Sequence, residues 1–430
     1  MRGNLAVVAV AVAVLVAVRA SSVAGQAVVV EDSWGNLVIN TSDARVNDVV
    51  VNGVSINTLA STAKEQAATL QAHERLIAQQ QGVIDALQGP VCALRSRFAP
   101  HVDHTTIANL PDGDSVYKFE GAVLVRDRYI YAAPTHATYV LIIDTHTNTA
   151  DTTSIANLPA TSFKWAGAVL APESGLVYMF PVVASSLLVV DPATNAHDQG
   201  VGDFSSLGST LLKWSGACMA GNGLMYAIPY SYPSVLIVDP ATNSTDTTTL
   251  AGVGAGTLAV RGPEGALFGI PDNANVVLII DPYTNTADTT SLPVFPGVDK
   301  YNHGVLAPNG LIYAVPDSGQ HVLVIDPATR TAEEVKLSNA TGVDKWSAPA
   351  VAPDGRVVAA PQREPTFLVI DPGLVSVGRA ANQTVDRTLR VAHEGNAATN
   401  RYSSVVRGAN GYLYAIPRGA DDVLIVDMGC

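Results

Sequence analysis

The chain has 430 residues, of which 48 % are hydrophobic and only 15 % charged, and its formal net charge is −13. That composition is too apolar for a disordered chain, and with 35 glycines and 25 prolines it is too interrupted for one long helical protein. The acidic balance argues against general nucleic-acid binding, which depends on phosphate neutralisation by Lys and Arg, and against adsorption on anionic lipid.

Residues 1–25 read as a secretory signal peptide. Arg2 supplies the positive start, Leu5 to Val18 is an unbroken apolar run, and Ala20, Ser21, Ser22, Ala24 and Gly25 supply small residues for cleavage. The run is short for a spanning helix, which needs about 20 residues. The expectation is a secreted or cell-surface protein with no membrane insertion once the signal is removed, an uncleaved anchor being the alternative. Residues 26–56 read as a short β-rich segment, with apolar runs at Val28-Val29-Val30, Leu37-Val38-Ile39 and Val49-Val50-Val51 separated by Gly35 and Gly53. Residues 57–90 read as a coiled-coil helix ended by Gly89-Pro90. Ile56, Ala63, Leu70, Ile77 and Ile84 recur seven apart, with Leu59, Gln66, His73, Gln80 and Leu87 as partners. The half-polar seam predicts a homo-oligomer, with a trimer favoured, or else a single amphipathic helix packed on the following domain.

From residue 91 to residue 430 one unit of about 45 residues recurs seven times. The copy from Lys300 reads KYNHGVLAPNGLIYAVPDSGQHVLVIDPATR. Its closing Asp recurs at Asp144, Asp191, Asp239, Asp281, Asp326, Asp371 and Asp427. Each copy holds three short apolar runs rich in Val, Ile and Tyr, divided by turn chemistry. A Gly-centred turn such as Asn309-Gly310 reverses the chain, Pro316 ends the second run, and Asp326-Pro327 opens a turn after the third. A polar run such as Thr149-Ala150-Asp151-Thr152-Thr153 follows, suited to a solvated outer strand. The prediction is an all-β fold, a seven-bladed β-propeller of four-stranded blades. The last copy lacks its Thr-rich strand, and residues near 102–109 resemble one, so the N-terminal strand should complete the last blade and remove an open edge. A Cys92–Cys430 disulfide would then lock the ring, two independent thiols being the alternative. Cys218 falls on an innermost strand and reads as a buried, inert thiol. N-glycosylation sequons stand at Asn40, Asn243, Asn339 and Asn382.

The pattern Ile312-Tyr313-Ala314-Val315-Pro316 followed by Val322-Leu323-Val324-Ile325-Asp326-Pro327-Ala328-Thr329 resembles the core of YVTN-type propeller repeats, and less closely NHL and kelch repeats. It departs from that family in reading Tyr-Ala-[Ile/Val]-Pro. The resemblance covers about residues 98–427 and implies extracellular display and binding. It carries over no catalytic residues.

The candidate ligand site is a basic–aromatic pair that opens six of the seven copies: Lys118-Phe119, Lys164-Trp165, Lys213-Trp214, Lys300-Tyr301, Lys345-Trp346 and Arg401-Tyr402. Placed at one position of each blade, these would form a cationic ring around the axial opening, matched to an anionic glycan or a protein partner. The alternative is that they serve the fold, as a feature present in nearly every copy usually does. His303 stands where other innermost strands carry Gly, Ala or Ser, and could face the channel. No catalytic constellation, metal site or cofactor motif is recognised. His101, His104, His136 and His146 lack metal-ligand spacing with carboxylates. The functional expectation is a secreted, non-enzymatic binding or adhesion protein. The alternatives are a lactonase or lyase working in the channel, for which His303, His104 and Asp299 are the candidates, and a structural coat or matrix protein. The insertion between Asp371 and Asp427, with Arg379, Arg387, Arg390 and His393, is either a recognition loop or a tolerated one.

Overall fold

In a computed structural model of the chain, the residues described are 27–31, 37–41, 50–51, 54–55, the helical residues between 62 and 80 other than 71, 74, 77 and 78, and 100–429 other than 112–115, 209–211, 254–255, 257, 338–339 and 374–400. The chain divides into two units, Met1–Val91 and Cys92–Cys430. In the first, Ala27–Glu31 pairs antiparallel with Leu37–Thr41, which carries Asn40, and Val50–Val51 pairs with Val54–Ser55. The described part of its helix is exposed along its length, Leu70 included. The signal segment, half of the heptad positions, both cysteines of the expected disulfide, Asn339, Asn382 and the 374–400 insertion lie outside the described residues. No helix among the described residues is long and apolar enough to cross a membrane.

The second unit is the seven-bladed propeller. Blade 1 runs Phe119–Val125, Tyr129–Pro134, Leu141–Asp144 and Thr149–Asp151, each strand antiparallel to the next. Blade 2 (Trp165–Leu170 to Ala196–Val201), blade 3 (Trp214–Met219 to Ser244–Asp246), blade 4 (Ala259–Arg261 to Thr286–Asp288) and blade 5 (Tyr301–Leu306 to Thr331–Lys336) repeat that order. Three strands of blade 6 are described, Ala350–Val351, Val357–Ala359 and Leu368–Ile370. Blade 7 (Tyr402–Arg407, Leu413–Pro417, Val423–Asp427) takes its outer strand from His101–Ile107, with Val423 opposite Ile107 and Asp427 opposite His101. The ring therefore closes as the truncated last repeat requires.

The repeated residues explain the blade. The Asp ending each third strand accepts a hydrogen bond from the backbone N–H two residues on in all seven copies, from Asp144 to His146 through to Asp427 and Gly429. The Asn that follows in the turn adopts a left-handed backbone, which Asn tolerates, with φ of 53° at Asn148 and 57° at Asn243. Its side-chain oxygen accepts the Tyr hydroxyl of the preceding blade: Tyr131 to Asn195 at 2.9 Å, Tyr178 to Asn243 at 2.7 Å, Tyr226 to Asn285 at 2.6 Å, and Tyr414 across the closure to Asn148 at 2.5 Å. Asn243, one of the four sequons, is thus an inter-blade latch. Each apolar cluster joins two neighbouring blades, such as Tyr178, Phe180 and Leu187 of blade 2 with Trp214, Met225 and Leu236 of blade 3. Cys218 is partly buried where the sequence suggested full burial, and burial pushes its thiol up to about 11.

Near the axis, the innermost strands are bulged just after the aromatic residue, between Phe119 and Ala122, Ala166 and Ala168, Trp214 and Gly216, Tyr301 and Gly304, and Tyr402 and Ser404. A bulge re-aims side chains, here those of Glu120, Ser215, Asn302 and His303. Blades 1, 2 and 3 meet there backbone to backbone. A Cβ on Gly121 would lie 2.9 Å from the Gly167 Cα, and one on Gly167 2.8 Å from the Gly216 Cα.

Candidate functional site

The basic–aromatic pairs are not a solvent-facing ring. Lys118, Lys164, Lys213, Lys300, Lys345 and Arg401 are all buried, none more than 6 % exposed. Each points its cation at backbone carbonyls of the preceding blade, with a second acceptor in several cases in its own connecting loop. The Lys118 Nζ donates to the Ala420 carbonyl at 2.6 Å, the Lys213 Nζ to Val183 and Gly208 at 3.0 and 3.5 Å, and the Lys345 Nζ to Asp317 and Gly342 at 2.7 and 3.1 Å. Lys300 makes three such bonds, to Asp272, Ala274 and Gly297, and Lys164 bonds to Thr135 and Thr161. Arg401 donates to the Gln362 and Glu364 carbonyls. Burial lowers the pKa of Lys213, Lys300 and Lys345. The aromatic partners are buried as well. The indoles of Trp165, Trp214 and Trp346 donate to the Ser186, Ser234 and Thr366 carbonyls at 2.8 to 2.9 Å, Tyr301 donates to the Glu334 carboxylate, and Tyr402 to that of Asp422 at 2.8 Å. The pairs are inter-blade clamps. The glycan-binding ring expected of them does not form, because every cation is turned away from solvent to satisfy carbonyls that the blade connections leave open.

The clamps position a different set of residues. In most blades the residue after the Pro that ends the second strand has both backbone groups tied. The Val182 N–H donates to the Lys164 carbonyl at 2.9 Å, and its carbonyl accepts the Lys213 N–H at 2.8 Å. Asp317 is held in the same way between Lys300 and Lys345, and Arg418 between Arg401 and Lys118. This position carries Thr135, Val182, Tyr230, Asp272, Asp317, Gln362 and Arg418. A backbone frame repeated in most blades therefore presents seven side chains of six different kinds around the axis.

Six of these, without Gln362, line a cavity of about 340 Å³ at one end of the channel. Residues just before the clamps join them: Tyr117, Phe163, Leu212, Asp299 and Asp344. The cavity is two-sided. Blades 1 to 3 contribute Tyr117, Phe163, Val182, Leu212 and Tyr230, an aromatic and aliphatic wall, and the second and connecting turns of blades 4 to 6 contribute Asp272, Asp299, Asp317 and Asp344. Below it, Glu120, Ser215 and His303 are shared with a narrower cavity of about 180 Å³, which continues along the axis between Gly121, Gly167 and Ser403.

The electrostatics follow from that layout. Burial, then the charge of Asp299, pushes Asp272 up to about 6, with Lys300 opposing. Burial, then the charges of Asp344, Asp272 and Asp299, pushes Asp317 up to about 7, with Arg418 opposing. The Asp317 Oδ1 is closed off from solvent and has no hydrogen-bond partner. Arg418 also pairs with Glu120: its Nε lies 3.2 Å from a Glu120 carboxylate oxygen, and its guanidinium lies over the Tyr117 ring at 4.5 Å. Burial and then the Arg418 charge lower His303 to about 4, so it is neutral at physiological pH, with its Nδ1 against the Asn302 side-chain oxygen.

Of the residues singled out from the sequence, His303 and Asp299 do meet in this site, while His104 stands exposed on the closing outer strand. The described residues hold no cluster of His, Cys, Asp or Glu able to bind a metal ion. The six acidic and basic residues Glu120, Asp272, Asp299, Asp317, Asp344 and Arg418 set the site's character. Apart from Asp299, sequence reasoning missed them because it followed the positions that repeat. The available signal was the variation at one fixed offset from the invariant Pro.

No protein-family profile and no curated sequence matches the chain. Solved structures do match in shape. Virginiamycin B lyase from Staphylococcus aureus superposes with a TM-score of 0.58 at 9 % identity, covering 76 % of this chain and 99 % of that one. Hydrazine synthase from Kuenenia stuttgartiensis gives 0.54 at 14 % identity, covering 72 % and 95 %. The extracellular domain of a putative hybrid two-component system from B. thetaiotaomicron gives 0.55 at 10 % identity, covering 76 % of this chain and 40 % of that one. At such identities the likeness is one of fold, and the fold it supports is the propeller.

Proposed function

We propose that this chain is a secreted, non-enzymatic binding propeller whose channel mouth recognises a cationic organic group carried on an apolar body. The observation that carries this reading is the two-sided cavity, in which four aspartates face an aromatic and aliphatic wall. Asp272 is buried and Asp317 half-buried, so their carboxylates attract a cation more strongly than exposed ones would, while Asp299 is exposed and Asp344 already pairs with Arg363 at 2.9 Å. Tyr and Phe faces add cation–π and apolar contact. The volume of about 340 Å³ suits a small ligand or a single long side chain. The ligand sign is opposite to the one expected from the sequence, because the lysines that would meet sulfate or carboxylate are engaged in the blade clamps.

Calorimetric titration with three matched probes tests this: 4-phenylbutylamine, 4-phenylbutanol and 4-phenylbutyrate. Saturable binding of the amine alone is expected, weakened by salt and by Asp317→Asn. Binding of the butyrate or of a sulfated oligosaccharide in preference to the amine would overturn it.

A second reading rests on His303, which is held neutral, lines the channel as Glu120 does, and could accept a proton from a bound substrate. Mass spectrometry would then detect ligand turnover that His303→Ala abolishes while binding persists.

A further inference from the structure

Exposed apolar side chains stand beside the cavity-lining residues. Among the described residues of the propeller, the large hydrophobic side chains left exposed are Val116, Phe163, Tyr283, Val294, Val298 and Val343. Val116, Val298 and Val343 each stand one residue before a cavity-lining side chain, namely Tyr117, Asp299 and Asp344, and Phe163 itself lines the cavity. Val298 is 70 % exposed, Val343 52 % and Val116 45 %. The chain carries 25 basic and 38 acidic residues, ample polar side chains for its surface, so exposed apolar residues beside one cavity mark a contact surface. These valines lie outside the cavity, beyond the reach of a small amine seated among the aspartates. A ligand that uses both must extend across the mouth. It must also carry its cation on an arm long enough to reach Asp317, whose buried Oδ1 is unbonded.

Building on the cation-binding reading above, we propose that the partner is a polypeptide that inserts one Lys or Arg side chain into the four-aspartate cavity and lays apolar neighbours of that residue on the valine rim. The arrangement is that of an interface hot spot, with a charged anchor in a desolvated pocket and an apolar surround that excludes water. Charge complementarity gives the anchor, and the rim gives the flanks. The chain's net charge of the opposite sign would also speed the encounter with a basic segment.

The test uses the full chain and three blocked pentapeptides measured by calorimetry: Ala-Val-Lys-Val-Ala, the same peptide with serine for both valines, and the same peptide with norleucine for lysine. The double variant Val298→Ser, Val343→Ser alters exposed side chains only, so its fold is expected to stand, and its melting temperature checks this. The valine-flanked lysine peptide should bind about tenfold more tightly than the serine-flanked one, on the scale of two partly buried valines. The double variant should erase that difference while still binding 4-phenylbutylamine. The norleucine peptide should not bind. Equal affinity for the valine- and serine-flanked peptides, or indifference to the rim variant, would overturn the polypeptide proposal and leave the cation site standing. Loss of every cationic probe, the amine included, would overturn both. Concentration-dependent self-association that the rim variant abolishes would identify a second copy of this chain as the occupant, and would likewise overturn it.

Discussion

Replacing Lys300 with Met separates a buried clamp from an exposed basic ring. Methionine keeps the length and packing of the stem but removes three charge-assisted bonds, to the Asp272, Ala274 and Gly297 carbonyls at 2.7, 2.8 and 2.8 Å. The Asp272 carbonyl retains the Lys300 backbone N–H at 3.2 Å, so the carbonyls of Ala274 and Gly297 lose the donor. A fully buried orphaned acceptor costs about 1–3 kcal/mol, but Ala274 is half-buried and Gly297 exposed, so water recovers part of the loss, and the relief of burying an ammonium group offsets a further part. The expected net loss is about 2 kcal/mol. A domain of this size loses roughly 2 °C of Tm per kcal/mol, so scanning calorimetry should show a fall of about 4 °C. The control is Lys336→Met on the exposed outer strand of blade 5, expected within about 0.5 kcal/mol of the parent. If Lys300→Met melted within a degree of the parent, the clamp would be energetically idle and the reasoning that removed the lysines from the binding surface would fail.

Other consequences follow from the same contacts. Removing residues 1–109 takes away the strand opposite Val423–Asp427, and the truncated chain should aggregate or melt well below the parent in light-scattering and thermal scans. Stability should be greatest near pH 5. Burial alone would raise Asp103 and Asp151, but hydrogen bonds from Thr106, Thr105, Ser154 and Thr153 outweigh it and hold both at about 2. The side chains of Thr249 and Ser291 lead the set that holds Asp246 and Asp288 there too. Stability from these depressed groups is present above the ordinary carboxylate range and is lost as pH falls toward 2. Asp272 and Asp317 act in the opposite sense: their contribution is present at low pH and is lost as pH rises through 6 and 7, so a Tm that climbed steadily from pH 5 to pH 8 would contradict the placement of both. Asp317→Asn removes a buried charge that Arg418 and Lys345 offset only in part. It should raise stability at pH 8, by at most about 4 kcal/mol in denaturant titration, while weakening amine binding, the usual opposition of stability and site chemistry.

The architecture was legible in the sequence because a propeller states each of its rules several times. The closing Asp is an Asx-turn former in every copy, and the missing outer strand at Asp427 pointed to its replacement at residues 102–109. The Tyr–Asn latch was also present in the text, as the Tyr of the second run and the Asn after Asp-Pro. What could not be read was that these two residues belong to contacts between neighbouring blades, since a sequence records order and not which blade a hydroxyl faces.

The lysines were open to misreading for a related reason. A cation at the same place in six of seven copies looks like a ring when charge alone is counted. Charge, however, carries no record of which atoms it meets. Every blade connection leaves carbonyls that need donors, and a repeated need draws a repeated residue, so faithful recurrence is evidence for a scaffold role. A single bound ligand breaks the sevenfold pattern and can be matched only by side chains that differ from blade to blade. The position after the strand-ending Pro has that property: Thr135, Val182, Tyr230, Asp272, Asp317, Gln362 and Arg418 share one backbone frame and almost nothing else. Its acidic members fall on consecutive blades and its apolar members on the opposite side. That grouping gives the cavity two chemically distinct walls, which seven equivalent residues could not supply. On the binding reading proposed above, specificity resides where the repeats disagree, and the lysine clamps matter to it by fixing the backbone from which those differences project.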